Sequence, residues 1–356
     1  MIRKLTIEGF KSIRKLEEFP LGPVNVLIGA NGAGKSNFIS FFRLVREMVE
    51  HRLQLALERM EGGADACLYL GPRITKEFAA RIDLGGRGYS FSLTRTLDNH
   101  FVFLNETETF RDHAGSFSAL GSGYRETGLF SHPDSGGDSA YKWVVYHFHD
   151  TSLQAAVRQQ HAINDNEWLR AGADNLAAFL YKLQLTAPIP YRRIRDVVRL
   201  AAPFFDDFHL RPVVGSAGEI QLEWRQRGSD YPFRAHQLSD GTLRFICLAT
   251  ALLQPDRPAT ILFDEPELGL HPYALTLLAN LLRQDSKQVV VSTQSAQLVN
   301  EFTPEEVIVV ERHKDESTFR RLNSADLSEW LQDYSLGELW QKNVLGGRPE
   351  AVSGRA

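Results

Sequence analysis

"VNVLIGANGAGKSNFISFF", residues 24–42, decides how the rest of the chain is read. Residues 24–28 are an apolar strand pattern, and Phe38, Phe42, Val45 and Val49 recur at helical spacing after Lys35. Between them, Gly29, Gly34, Lys35 and Ser36 spell G-x-x-x-x-G-K-S, the loop that must follow a strand and open a helix to hold phosphate. Glycines let such a loop wrap until its backbone N–H groups point inward. The spacing therefore places Asn31, Gly32, Ala33, Gly34, Lys35, Ser36 and Asn37 around a nucleotide's phosphates. Lys35 reaches the β- and γ-phosphates, and Ser36 offers a hydroxyl to Mg²⁺. The competing reading is a glycine turn with no ligand.

A second stretch supplies what a phosphate loop lacks. "ATILFDEPE", residues 259–267, is a near-continuous apolar strand ending in Asp264 and Glu265. Ligands of parallel sheets lie beyond the carboxyl ends of the strands. Asp264 is placed to hold Mg²⁺ through water, and Glu265 to orient or deprotonate an attacking water. A third stretch, "HQLSDGTLRFICLATALL" at 236–253, reads as a turn and then a buried helix. A helix start carries free N–H groups and a positive dipole end, which attract an anion. Ser239 or Asp240 as an ordinary N-cap is the plain alternative.

The bulk numbers fit a globular chain. Its 356 residues make roughly two domains. Hydrophobic residues are 43% and charged residues 24%, ordinary for a soluble fold. A net charge of −4 leaves nucleic acid open, because a basic patch can sit on a neutral protein. Cys67 and Cys247 are the only cysteines, which argues against a disulfide framework and for a cytoplasmic setting. No apolar run approaches the ~20 residues of a membrane helix, so no membrane partner is expected.

Along the chain, "RKLTIEGF" and "VNVLIGA" read as strands on either side of a Pro-Leu-Gly-Pro turn, and a helix runs from Lys35 to about Arg59. "EFAARIDL", "YSFSLTRTL" and "HFVFLNETETF" read as three strands, the first two joined at Gly85 and Gly86. Residues 111–139, rich in Gly, Ser and Asp, read as a long mobile loop. Helical patterns are expected from Ser152 to Phe205, and strands around 207–214 and 219–226. Thereafter strands and helices alternate, which implies a sheet covered on both faces.

At this point the chain resembles a known group. "LTIEGFKSI" (5–13), "GANGAGKS" (29–36), "LSDGT" (238–242), "ILFDEPELGLHP" (261–272) and "VVVSTQS" (289–295) stand in the order found in ABC-type ATPase heads of the SMC, RecF and OLD group. The closing "SLGELWQKNVLGGRP" (335–349) resembles the tail of compact predicted bacterial AAA-family ATPases without a TOPRIM domain. The resemblance covers the whole chain. It implies an α/β fold: an ABC-type P-loop NTPase head with a mixed central sheet, an antiparallel β lobe and a helical insertion. The expected division is 1–60 and 230–356 for the head, 61–150 for the β lobe, and 151–229 for a mostly helical insertion.

The resemblance also implies a partner. Two such heads dimerise head to tail with ATP between them, so Ser239, Asp240 and Gly241 of one copy would meet the γ-phosphate held by Lys35 of the other. Asp240 stands where transporters carry Gly, and Gln294 where related heads carry His. A glutamine donates a hydrogen bond but cannot become cationic, so Gln294 bears on the hydrolysis rate. The Mg²⁺-watching glutamine is not assignable among Gln154, Gln159 and Gln160. Relatives with a TOPRIM nuclease carry it after the head. Here the stretch after the last expected strand is too short for one, so a nuclease or other effector is expected on a separate chain.

Three functions compete. The first is a slow Mg-ATP-driven switch in bacterial DNA maintenance or phage defence. The others are a RecF-like DNA-binding repair ATPase and a nucleotide-sensing scaffold with negligible hydrolysis. Arg192, Arg193, Arg195 and Arg199 could form a phosphate-backbone stripe or a solvated, acid-paired helix face. His147 and His149 alternate on one strand face without a further metal ligand in view. His271 and Pro272 fall where these heads touch their partner subunit.

Overall fold

The computed structural model describes residues 1–110, 117–129, 143–256, 258–284 and 287–347. The N-terminal half runs β1 (Lys4–Phe10), β2 (Ile13–Pro20), β3 (Val24–Ile28), α1 (Lys35–Val49), α2 (Leu53–Arg59), β4 (Glu77–Asp83), β5 (Arg87–Arg95), β6 (Phe101–Phe110), β7 (Phe117–Gly121) and β8 (Trp143–Tyr146). There follow β9 (His161–Ala162), α3 (Leu176–Thr186), α4 (Pro188–Ala201), β10 (Phe205–Phe208), β11 (Pro212–Val213), β12 (Ser216–Ile220), β13 (Glu223–Gln226) and β14 (Pro232–Arg234). The chain closes with α5 (Asp240–Leu253), β15 (Thr260–Asp264), α6 (Pro272–Arg283), β16 (Gln288–Ser292), α7 (Ala296–Val299), β17 (Val307–His313), β18 (Glu316–Arg321) and α8 (Leu336–Gln341).

Two compact units share these elements. The first comprises Met1–Val145, Pro258–Leu262 and Ser286–Ala356; the second comprises Tyr146–Arg257 and Phe263–Asp285. The first unit carries two sheets. One is antiparallel, in the order β2-β1-β4-β5-β6-β7, and the other runs β18-β17-β3-β16-β15-β8. In the second sheet β3 pairs parallel with both β16 and β17, while β17 pairs antiparallel with β18, so the sheet is mixed. All five residues of β3 and of β16 are buried, as continuous Val/Ile/Leu runs in a sheet covered on both faces require.

Helix α1 shows why the two sheets form one core. Phe38, Phe41, Phe42, Val45, Met48 and Val49 follow helical spacing and are buried, but so are Ile39 and Leu44 beside them. The apolar face is too wide for a surface helix, because packing comes from two directions. Phe41 meets Phe10 and Phe78 of the antiparallel sheet at 5.9 and 6.2 Å between ring centres. Phe38 meets Phe319 of β18 at 5.4 Å. Each edge or tilted pair adds about 0.5–1.5 kcal/mol beyond area burial.

In the second unit, α5 is nearly all buried and packs against α4 and α6. Tyr191, Ile194 and Val198 are the inward face of α4. Two small sheets, β10-β13-β14 and β11-β12-β9, complete it. Trp224 of β13 stacks between Phe205 and Phe233 at 6.0 and 5.0 Å.

Several elements differ from the sequence reading. The β1–Pro-Leu-Gly-Pro segment contains a further strand, β2, forming a hairpin with β1. The helix expected to Arg59 breaks after Val49. His51 takes a left-handed φ of 55°, and Arg52 N–H bonds back to Glu47 O at 2.8 Å. That is a Schellman ending with histidine in glycine's usual place, so no glycine marks it. Part of the stretch expected as a loop, 117–121, is strand β7 on β6; residues 111–116 and 130–142 lie outside the described ones. Helix does not begin at Ser152 but at Leu176. The loop before it is satisfied by the fully buried Asn175, whose side chain bonds Asp165 O, Trp168 O and Arg170 N–H at 2.8–3.0 Å. The two strands expected near 207–226 are four short ones.

Candidate nucleotide site

The first unit holds the phosphate loop. β3 ends at Ile28 and the chain turns through residues 29–34 into α1. Gly34 has φ 119°, and a Cβ there would run into Ser317 Oγ with Ser12 Oγ 3.0 Å away. Only glycine fits. α1 starts without a side-chain cap and without an acid in its first turn. Its positive end is left for something other than the chain's own carboxylates. Lys35 is buried at 5% exposure, and its Nζ donates to the carbonyls of Gly29 at 2.6 Å and Ala30 at 3.1 Å. The loop is thus wrapped around the ammonium. Ser36, next on the helix, is exposed, as are Asn31 and Gly32.

A buried hydroxyl chain supports the loop from below. Ser317 of β18 lies 2.5 Å from Ala33 O and 2.7 Å from Ser12 Oγ, and Asn37 Nδ2 lies 2.7 Å from Ser12 Oγ. Each hydroxyl has one proton and a carbonyl can only accept. The protons therefore run from the Asn37 amide to Ser12, from Ser12 to Ser317, and from Ser317 to Ala33. The Asn37 side-chain amide thereby helps to support the loop. Arg312 Nη1 donates to Gly32 O at 3.4 Å from the exposed end of β17.

Gln294 belongs to the same unit. It follows β16, and Thr293 N–H bonds Leu27 O at 3.0 Å. The turn carrying Gln294 therefore leaves the sheet beside the exit of β3 into the phosphate loop. Gln294 is exposed. Ser295 then caps α7, accepting from Leu298 N–H at 3.1 Å.

The second unit holds the acids and the Leu-Ser-Asp-Gly helix. Asp264 is the last residue of β15. Glu265 follows with φ 44°, a left-handed conformation in a bulky residue. Pro266 disfavours the right-handed helical region for the residue before it, and a strained backbone of this kind costs about 1–3 kcal/mol. Both acids are half-buried.

Ser239 caps α5: its Oγ accepts from Thr242 N–H at 3.2 Å and lies 2.8 Å from Thr242 Oγ1. The plain N-cap is therefore present, on an exposed residue. Asp240 is paired with Arg158 Nη2 at 2.7 Å. Arg158 is almost inaccessible and also donates to the carbonyls of Thr151 at 2.9 Å, Leu238 at 3.3 Å and Ala235. Gly241 touches the turn after Glu265, where a Cβ would meet the Gly269 carbonyl oxygen. Arg244 crosses the same junction, donating to Leu268 O, to Phe148 O at 2.8 Å and to His149 O at 3.1 Å. Burial pushes its pKa down. Residues 239–241 and the turn after Glu265 are thus one locked assembly. His271 Nδ1 accepts from Tyr273 N–H at 3.3 Å and caps α6.

Ser12, Ser317, Arg158 and Arg244 escaped the sequence reading. Ser12 lies inside the quoted "GFKSI", and Arg244 interrupts an apolar helical run; either was a usable signal. Ser317 and Arg158 carry none. Of the arginine stripe, Arg195 pairs with Asp196 at 2.9 Å and Arg199 with Asp206 at 2.8 Å, while Arg192 and Arg193 are exposed. Gln159 donates to Leu153 O at 3.2 Å. Among the described residues no three His, Cys, Asp or Glu side chains are grouped to hold a metal. No helix among them is long and apolar enough to cross a membrane.

A glycine loop around a buried lysine, on a mixed sheet with an antiparallel partner sheet, is the P-loop NTPase fold of an SMC head. The structure is similar to an SMC head bound to the C-terminal winged-helix domain of ScpA, with a TM-score of 0.60 and 17% identity over 92% of this chain and 99% of that one. It is equally similar to a Pyrococcus furiosus SMC head with an extended coiled coil bound to the C-terminal domain of ScpA. There the TM-score is 0.60 and the identity 16%, over 93% and 98% of the chains. These likenesses establish the fold. Curated proteins gave no match. Residues 24–300 match the family described as "AAA domain, putative AbiEii toxin, Type IV TA system", and the chain belongs to that family.

Proposed function

We propose that this chain binds Mg-ATP, hydrolyses it slowly, and closes head to tail with a second copy as a switch. The observation that carries the reading is the loop wrapped around buried Lys35 at the uncapped start of α1. A phosphate would offer Lys35 an anionic acceptor, a stronger partner than a neutral carbonyl. Ser36 and Asp264 would supply hard oxygen ligands of the kind Mg²⁺ takes. Bound there, Mg²⁺ would neutralise charge on the phosphates. Glu265 would orient or deprotonate the attacking water, and Gln294 would donate to the γ-phosphate. In the closed pair, Ser239, Asp240 and Gly241 of the partner copy would face that phosphate. Residues 1–60 and 230–356 would together form the head.

The switch would act in the bacterial cytoplasm, in DNA maintenance or phage defence, on a separately encoded nuclease or other effector. The family description, with its toxin and Type IV TA system, supports an effector role. The SMC heads of this fold were solved with a ScpA domain bound, which supports docking of a partner protein. The internal pairing of Arg195 and Arg199 weighs against a phosphate-backbone stripe on α4. One observation favours a second reading, a nucleotide-sensing scaffold: Gln294 is neutral at the position that bears on hydrolysis. Calorimetry on Lys35→Ala tests the primary reading. The expected result is a folded protein with no measurable ATP binding. Unchanged affinity would overturn the phosphate-loop assignment.

A further inference from the structure

The C-terminal segment after β18 touches both helix α7 and the phosphate loop. Its helix α8 packs against α7, which begins two residues after Gln294. The contact is close: Gly337 N–H donates to Asn300 Oδ1 at 2.6 Å, and a Cβ on Gly337 would meet the Ala296 carbonyl oxygen. Leu336 and Leu339 are buried there. Past α8 the chain turns back, and Leu345 is buried while Arg320 Nη2 holds its carbonyl at 2.7 Å.

The segment then reaches the base of the phosphate loop. Gly347, with φ 82°, has its N–H bonded to Glu311 Oε1 at 2.9 Å. A Cβ on Gly347 would lie 3.2 Å from the Cα of Gly29, 3.3 Å from Trp340 Nε1 and 3.4 Å from Val309 Cγ1. A Cβ on Gly29 would in turn meet the Val310 carbonyl oxygen. The first glycine of the loop is therefore wedged between β17 and the tail. Glycine at 347 is favoured by its φ, and a side chain there would be crowded on three sides. Gly29 also gives Lys35 its closer carbonyl.

We propose that residues 335–347 are a positioning element of the nucleotide site. One end fixes the phosphate loop through Gly29, and the other fixes the turn carrying Gln294 through α7. One segment thereby ties the lysine that would hold the phosphates to the amide that would face the γ-phosphate. This rests on the Mg-ATP reading above.

The test uses the full-length protein and its Glu311→Ala, Gly347→Val and Gly337→Val variants. ATP affinity is measured by calorimetry, and amide hydrogen exchange is followed with and without ATP. Binding by the unaltered protein checks the Mg-ATP reading separately. Glu311→Ala removes the acceptor of Gly347 N–H, along with a 4.0 Å approach to the exposed His313, and adds no bulk at the loop, so it stays informative even if Gly347→Val fails to fold. Glu311→Ala and Gly347→Val are expected to weaken ATP at least about tenfold, about 1.4 kcal/mol. Exchange at residues 29–36 should quicken while the β4–β5 hairpin stays unchanged. Gly337→Val is expected to quicken exchange at residues 293–297. Normal ATP affinity and normal exchange at 29–36 in Glu311→Ala would overturn the proposal. So would faster exchange spread evenly over the unit, the mark of a merely structural tail.

Discussion

If α5 receives a γ-phosphate from a second copy, a negative charge at its start should break closure without harming the monomer. Ser239→Asp isolates that effect. Aspartate caps helices as well as serine does, and Thr242 N–H already lies 3.2 Å from the residue's side-chain oxygen. A carboxylate at a helix start adds about 0.3–1 kcal/mol. The neighbouring Asp240 opposes it only weakly, since Arg158 holds that carboxylate at 2.7 Å. The net change in monomer stability should stay within about 1 kcal/mol, a melting shift of a few degrees at most. Between copies the sum is different. Two like charges about 4 Å apart at an effective dielectric of about 20 repel by about 4 kcal/mol, and a head-to-tail pair holds two such sites, so dimer affinity should fall at least about a thousandfold. The assay is sedimentation with ATP in a Glu265→Gln background, with calorimetry to show that ATP still binds each monomer. A dimer forming at the unaltered protein's concentrations would refute the head-to-tail reading. The more obvious Gly241→Asp is a poor probe. Its Cβ would meet the Gly269 carbonyl oxygen of its own chain, and failure to dimerise would not separate clash from charge.

Other outcomes follow from the same contacts. Gly241→Ala should lower thermal stability by about 1–3 kcal/mol through overpacking, against the roughly 1 kcal/mol gain that alanine gives an open helix site; a raised melting temperature would disprove the close approach to Gly269. Glu265→Gln should slow ATP turnover roughly 10²–10⁴-fold and accumulate an ATP-bound dimer, and turnover within a few-fold of normal would remove Glu265 from that role. Burial pushes the Cys67 thiol up to about 11 and the Cys247 thiol up to about 12, from an ordinary value of 9.0. The folded state then binds more protons than the unfolded one above pH 9, so stability should fall as pH rises from about 9 to 11. Melting curves of a Cys67→Ala, Cys247→Ala double variant should fall less steeply across that window; identical slopes would count against the burial argument.

What the sequence revealed was what local pattern controls. The strand–loop–helix at 24–42 was legible because glycine spacing, an apolar strand and a 3.6-residue period coincide there. The parallel strands were legible because burial on both faces leaves continuous runs such as "VVV" at 289–291. The missed features depend on partners distant in the chain. Strand β2 was hidden because "IRKLEEFP" buries only Ile13, Leu16 and Phe19, at every third position rather than every second. The helix break at His51 uses a residue with no steric signature. The loop before α3 is held by one buried asparagine, which sequence periodicity cannot register. Within the site, the motif residues could be named, but the groups that hold them could not. Ser317 supports Ala33 across 284 residues of chain, and nothing near Ser317 in sequence hints at it.

Asp240 brings these strands of argument together. Read alone, it is a carboxylate where a γ-phosphate is meant to approach, and it should hinder closure. Read with Arg158, it is half of an ion pair whose cation is 2% exposed and whose anion is 65% exposed. The two partners then do unequal work. Asp240→Asn gives up a largely solvated charge, worth at most about 1 kcal/mol to stability. Arg158→Met strips a donor from the carbonyls of Thr151, Ala235 and Leu238 as well as from Asp240; Ala235 O keeps the Leu238 N–H at 3.1 Å, but each buried acceptor left unpaired costs about 1–3 kcal/mol, so it should destabilise several times more. The functional comparison is sharper. If Arg158 neutralises Asp240, Asp240→Asn should change ATP-driven dimer affinity by only a few-fold. Sedimentation showing a hundredfold tighter dimer would mean that the carboxylate faces the phosphate unscreened. Arg158 would then be a support for the turn at 235–238 and nothing more.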